Sequence, residues 1–260
     1  MGSSGDGVQK LVIHGNEIEL FRQGSGLPLL YLHGIDGPDY SARFLHQLTR
    51  SFDVIAPTHP GFAHSPRPVH CRRVDDLAFL YLELIDQLAL SQLILIGSSF
   101  GGWIAAELTS WCSHALSKLI LIAPLGLLTE KSISPADIFI PNSERVARLL
   151  YHDPARRVID SGPLSEAHIA AIGGNREALA HYAWEPYMHN PQLGNRLQRI
   201  RVPTLILRGA SDGFVSQEYA GAYAQRITGS RLDIIPAAGH EPQFEQSEEF
   251  LARIETFVSA

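Results

Sequence analysis

The chain has 260 residues, 45% apolar and 18% charged, enough for one larger domain or a core domain with an insertion to bury a sizeable core. A formal charge of -6 gives no electrostatic reason to expect nucleic acid or an anionic membrane surface as partner, and points instead to a small-molecule ligand. Cys71 and Cys112 are too few and too scattered for a disulfide framework or a zinc site, and no apolar run approaches the roughly 20 residues that span a bilayer.

The two cysteines are therefore read as free thiols, with a single bridge left open, and the expected location is the cytoplasm. The opening residues, Met1 to Gly7, have no basic region followed by an apolar segment and read as a flexible leader rather than a signal peptide. Leu11-Val12-Ile13 and Ile18 to Phe21, separated by His14-Gly15-Asn16-Glu17, predict two antiparallel strands joined by a short turn. Leu27 to Leu32 is almost continuously apolar and predicts a third, buried strand. The turn after it, His33-Gly34-Ile35-Asp36-Gly37-Pro38, can be an ordinary Asp-Gly turn, with Asp36 as a turn former.

An amphipathic helix is expected over Ser41 to Ser51, then a strand over Phe52 to Ala56. The loop Thr58-His59-Pro60-Gly61-Phe62-Ala63-His64-Ser65 follows; with no clustered carboxylate or cysteine, His59 and His64 read as surface or loop histidines and not as metal ligands. Val74 to Leu88 carries apolar residues at helical spacing. It leads into Leu93-Ile94-Leu95-Ile96-Gly97-Ser98-Ser99-Phe100-Gly101-Gly102-Trp103, where a buried strand turns abruptly into a helix at Ser99.

The spacing Gly97, Ser99, Gly101 suits a serine held in a strained turn with its hydroxyl presented outward, although Ser99 could simply cap the helix. Another apolar run, Leu119 to Ala123, keeps strand and helix alternating, which implies a mostly parallel sheet covered on both faces. The pattern breaks between about 127 and 201. That stretch is more polar, with helical segments at Ser143 to Tyr151, Ser165 to Ile172 and Arg176 to Tyr182, and is too long for a simple connection. The strand pattern returns at Val202 to Gly209, followed by a glycine turn with Asp212, a strand at Leu232 to Ile235, the pair Gly239-His240, and a helix from Ser247 to Val258.

Gly-x-Ser-x-Gly at a strand-helix turn resembles the nucleophile elbow of the α/β-hydrolase family, and the resemblance extends from the third strand to the last helix. It implies an α/β-hydrolase fold with its core in residues 1–126 and 202–260 and a helical lid in 127–201. It also implies a triad of Ser99 as nucleophile, Asp212 as acid and His240 as base, with backbone N–H groups of Ile35 and Phe100 as the oxyanion hole. The loop from Thr58 is similar to a family loop in which an aspartate stands in place of Thr58 and a glycine in place of Ala63. No metal or organic cofactor is required. Arg176, Trp184, Tyr187 and Met188 are candidate substrate contacts, although a lid's aromatic residues also serve as its own core.

Hydrolysis of a carboxylic ester of a small or medium apolar substrate is the first functional expectation. Ser99 argues against the related epoxide hydrolases and haloalkane dehalogenases, which use aspartate there. The alternatives are carbon-carbon bond hydrolysis of a ring-cleavage product, or the related enol-lactone hydrolysis, and a small-molecule receptor on the same fold. Ser99-Phe100-Gly101-Gly102 resembles the elbow of carbon-carbon hydrolases, but that group usually has Asn before the nucleophile and Trp after the histidine, where this chain has Ser98 and Glu241. The oligomeric state is not legible.

Overall fold

The computed structural model describes residues 7–63, 65–140, 143–156 and 166–260. A hairpin of β1 (Val8–Ile13) and β2 (Asn16–Gln23) precedes the buried β3 (Leu27–Leu32). Helix α1 (Pro38–Leu48) begins earlier than the sequence periodicity predicts, because Pro38 pre-sets the dihedral of a first helical residue and needs no N–H partner there. Strand β4 (Phe52–Pro57), α2 (Val74–Gln87), β5 (Leu93–Ser98), α3 (Phe100–Trp111) and β6 (Leu116–Ile122) follow.

Between β6 and the next strand of the main sheet lie β7 (Gly126–Leu127), α4 (Ser143–Leu150), α5 (Glu166–Ala183), β8 (His189–Asn190) and α6 (Leu193–Arg196). Here α5 replaces two predicted segments. The expected segments stop at Ile172 and restart at Arg176, whereas the helix runs through Gly173 and Gly174, where a Cβ would meet nothing. Ser165 lies outside the described residues. The chain returns to the sheet with β9 (Thr204–Gly209), α7 (Gln217–Arg226), β10 (Arg231–Ile235), α8 (Pro242–Glu245) and α9 (Ser247–Ser259).

The main sheet has eight strands in the order β1-β2-β4-β3-β5-β6-β9-β10. Only β2 runs against the others, since it pairs antiparallel with both neighbours while the pairs from β4 to β10 are parallel. Continuous apolar strands are what such a sheet requires, because both faces are covered. On one face Leu29, Val54, Ile94, Ile120 and Leu205 pack with Phe44 of α1 and Phe250 and Ile254 of α9. On the other, Leu30, Leu95 and Leu121 pack with Leu77 and Leu84 of α2 and Ile104 and Leu108 of α3.

The connection from β3 passes through α1 to β4 on one side, and the connection from β5 passes through α3 to β6 on the other. The order reverses between β3 and β5, and the crevice at the carboxyl ends of such strands is where open α/β sheets place their ligands. Among the described residues, the helical segment 127–201 adds to the strands only the small parallel pair β7–β8, outside the main sheet. Its far end is fastened to α3 at the buried Glu107, which accepts from Asn190 Nδ2 at 2.7 Å and Arg196 Nη1 at 3.1 Å.

Candidate active site

Ser99 stands at the end of β5 with φ 52° and ψ -110°, a left-handed backbone conformation that costs an L-residue other than glycine about 1–3 kcal/mol. It persists because β5 and α3 are both fixed by the core. Its N–H donates to Ile122 O at 2.8 Å, and its carbonyl accepts from Trp103 and Leu125. Gly101 is required by close approach: a Cβ there would lie 2.1 Å from Leu32 O. The first turn of α3 can therefore press against the end of β3, carrying Ser99 next to the loop that follows.

Asp212 and His240 arrive on the loops after β9 and β10. A Cβ at Gly209 would lie 2.0 Å from Gly239 O, so only glycine lets these two loops touch. His240 Nε2 is 2.8 Å from Ser99 Oγ, and its Nδ1 is 2.9 Å from Asp212 Oδ2. The other carboxylate oxygen of Asp212 accepts from the N–H groups of Phe214 at 2.9 Å and Val215 at 2.8 Å. Arg208 is buried beneath the same loop and donates to the Asp212 and Val215 carbonyls. Ser99, Asp212 and His240 are all buried.

Burial disfavours a charged imidazole at His240. The adjacent Asp212 charge and hydrogen bond, helped by Glu241 and Asp36, outweigh that cost and hold its pKa above the usual 6.5. With Asp212 at Nδ1, the neutral ring leaves Nε2 as an acceptor facing the serine hydroxyl. The chain Asp212–His240–Ser99 can thus remove a proton from Ser99 Oγ and hold the imidazolium that results.

The loop after β3 meets Ser99 from the other side. A Cβ on Gly34 would stand 3.4 Å from Ser99 Cβ, which puts Ile35 on the nucleophile's side of the sheet edge. The Phe100 N–H is at the first position of α3, among the amides that a helix leaves without an internal acceptor. These are the two expected oxyanion donors.

His59 is a loop residue, standing just after β4, but it is wholly buried rather than at the surface, and its ring packs on His33 with centroids 3.7 Å apart. His59 N–H donates to His33 Nε2 at 3.0 Å, which leaves His33 Nδ1–H to donate to Gly34 O at 2.7 Å. His59 Nε2–H donates in turn to His33 O at 2.9 Å, and its Nδ1 accepts from the Tyr81 hydroxyl. Burial drives the His33 pKa down to about 4 and that of His59 well below 6.5, so the pair is neutral and serves as a brace behind Gly34. The signal was absent from the sequence because Tyr81 and His33 are both distant from His59 along the chain. His64 lies outside the described residues.

The proposed substrate contacts separate. Trp184 is 59% exposed and Tyr187 41%; their ring partners are Phe139 and each other, and Tyr187 donates its hydroxyl proton to Asp137. Both stand on the turn after α5, and among the described residues no hydrogen bond or ring contact links either to the triad. Met188 is buried in the core, whereas Arg176 is half-buried on α5. Its neighbour Asn175, which sequence reasoning missed, makes the direct connection. Asn175 Nδ2 donates to Asp36 O at 2.9 Å, and its Oδ1 accepts from Ala63 N–H at 2.9 Å. Tyr182 of the same helix donates to Pro60 O. Likewise α4 reaches the triad loops, with Leu149 O accepting from Gly213 and Leu150 O from His240 N–H.

Among the described residues, no group of three His, Cys, Asp or Glu side chains is arranged to hold a metal ion, no helix is long and apolar enough to cross a membrane, and both cysteines are free.

A family model described as the alpha/beta hydrolase family matches residues 29–253. A 2-hydroxy-6-oxo-2,4-heptadienoate hydrolase from Pseudomonas putida is 27% identical, the match covering 97% of this chain and 97% of the relative. Among solved structures, a meta-cleavage product hydrolase from Pseudomonas fluorescens superposes with a TM-score of 0.80 at 19% identity, over 96% of this chain and 97% of that one. An esterase from Exiguobacterium antarcticum superposes with a TM-score of 0.71 at 22% identity, over 95% and 97%. At these identities the two structures share the fold with this chain.

Proposed function

The chain belongs to the alpha/beta hydrolase family, and from that premise we propose that it is a serine hydrolase cleaving a neutral carboxylic ester of a small or medium apolar substrate. The observation that carries the reading is the hydrogen-bonded chain from Ser99 through His240 to Asp212, assembled from three loops at one edge of the sheet. Ser99 Oγ attacks the ester carbonyl as His240 Nε2 takes its proton. The oxyanion is met by the N–H groups of Ile35 and Phe100, each such donor being worth about a hundredfold to a thousandfold in rate. His240 returns the proton to the departing alcohol, leaving an acyl group on Ser99. Water, deprotonated by the same imidazole, then releases the acid. Residues 127–201 act as the lid, seated on these loops through α4 and α5. The two free thiols suit a reducing compartment such as the cytoplasm.

Carbon-carbon bond hydrolysis of a ring-cleavage product is the second reading, favoured by the similarity to the heptadienoate hydrolase. Two observations weigh toward the ester. Ser98 and Glu241 stand where the carbon-carbon hydrolases usually carry Asn and Trp. In addition, Asp212 and Asp36 both bear on His240, a poor setting for a substrate that is itself a carboxylate. Turnover of a nitrophenyl ester and of a 2-hydroxy-6-oxo-dienoate by the same preparation separates the readings. The ester is expected to give the higher kcat/KM by at least about tenfold; the reverse order overturns the ester assignment in favour of the second.

A further inference from the structure

Glu241 follows the triad histidine and is only 3% exposed, yet the proposed reaction does not use it. Its Oε2 faces Ser98 Oγ at 3.1 Å and the side-chain amide of Gln243. Its Oε1 lies 3.1 Å from where a Cβ of Gly34 would stand, so the carboxyl fills the space between the nucleophile strand and the oxyanion loop. Gln243 is equally buried, and its Oε1 is the buried side-chain oxygen without a hydrogen-bond partner among the described residues.

We propose that Glu241 works as a neutral carboxylic acid and is a positioning residue for the oxyanion loop, donating its proton to the Gln243 amide oxygen while its carboxyl seats Ser98 and Gly34. The two ends of a primary amide exchange by rotation about one bond. With the amide oxygen turned toward Glu241 Oε2, a hydrogen bond forms only if the carboxyl carries the proton. This arrangement leaves no unpaired charge in the interior, where one is expensive.

The groups facing Glu241 agree. Tyr31 of β3 lies beside it with its hydroxyl on Ser41, Ser98 comes from β5, Gln243 from α8, Asp36 from the oxyanion loop and His240 from its own loop. The charged groups among them are a second acid and the histidine that must be neutral to act as base; none is a lysine or arginine. Burial, reinforced by Asp36, pushes the carboxyl up to about 7 despite the opposing effects of His240, Gln243 and Ser98.

Ionisation would act against catalysis in two ways. A carboxylate behind Gly34 opposes the negative charge forming at the Ile35 N–H. It also favours a protonated His240 in the resting enzyme, which removes the base. Its help to the imidazolium in the transition state is small, because Asp212 already holds that ring at 2.9 Å.

The inference rests on the serine-hydrolase reading, and the test separates the two. The pH dependence of kcat/KM for a nitrophenyl ester is measured for the wild type, Glu241→Gln and Glu241→Ala, beside infrared spectra of the resting proteins. A bell-shaped wild-type profile is expected, rising as His240 loses its proton and falling as Glu241 loses its own. Glu241→Gln is expected to remove the falling limb and leave the rising limb in place, since a neutral amide replaces an acid that is neutral while His240 loses its proton. It should retain turnover at the wild-type optimum to within a few fold, whereas Glu241→Ala loses about tenfold or more. The infrared band of a protonated carboxyl should be present below neutral pH in the wild type, fade as pH rises, and be absent from Glu241→Gln. A falling limb that persists unchanged in Glu241→Gln, or a wild type without the band, overturns the proposal. Full turnover by Ser99→Ala would overturn the catalytic role alone, because the band is read without any reaction.

Discussion

The loops at the carboxyl edge of the sheet and the helical segment 127–201 lie against each other, but they are held in different ways. Ser99, Asp212 and His240 are placed by rules that act over a few residues: a buried strand, a small residue where backbones touch, and an abrupt turn. The helical segment is placed by single hydrogen bonds, from side chains and backbone, whose partners are far away in sequence. Asn175 bonds groups 112 and 139 residues distant, and α4 offers its last carbonyls to Gly213 and His240. Local rules build the Ser99–His240–Asp212 constellation, and long-range contacts set how the helical segment lies against it.

The comparison can be sharpened from each side. Asp212→Asn keeps the size of the acid but replaces the carboxylate that fixes the His240 tautomer, and should lower kcat by about 10⁴-fold with little change in Tm. A loss below about tenfold would mean that the sheet-edge loops do not carry the chemistry. Asn175→Ala probes the other region. It should lower kcat by about tenfold, with KM nearly unchanged, because the oxyanion loop loses its anchor on α5 while ground-state binding remains. Affinity for a boronic acid transition-state analogue should fall by the same factor, with no matching loss for an unreactive substrate analogue. Equal weakening of both ligands would reduce Asn175 to a packing role.

The same division governs what the sequence made legible. The continuous apolar runs of β3, β5, β6 and β9 identified the parallel sheet, and Gly97, Ser99 and Gly101 marked the turn, because each signal is contained in its own few residues. The order Ser99, Asp212, His240 could be read because each stands just after such a run. That His59 is a buried loop histidine rather than a surface one was not legible, because its burial depends on Tyr81 and His33. Two helical segments were expected on either side of residues 173–175, but a single helix, α5, runs through them. Trp184 and Tyr187 could be read as pocket residues or as a lid's own core, because aromatic residues serve both, and the structure leaves both exposed among Phe139 and each other. Glu241 was visible only as a departure from a family pattern; its partner Gln243 and the contact with Gly34 had to be seen.

The central claim is that Ser99 is the nucleophile activated by His240. Mass spectrometry of the protein after treatment with a fluorophosphonate tests it most directly. The account predicts one stoichiometric adduct on the peptide carrying Ser99, formed in step with loss of ester turnover, slowed by Asp212→Asn and absent from Ser99→Ala. Turnover that survives complete labelling of Ser99, or an adduct on another residue that accounts for the inactivation, would contradict it.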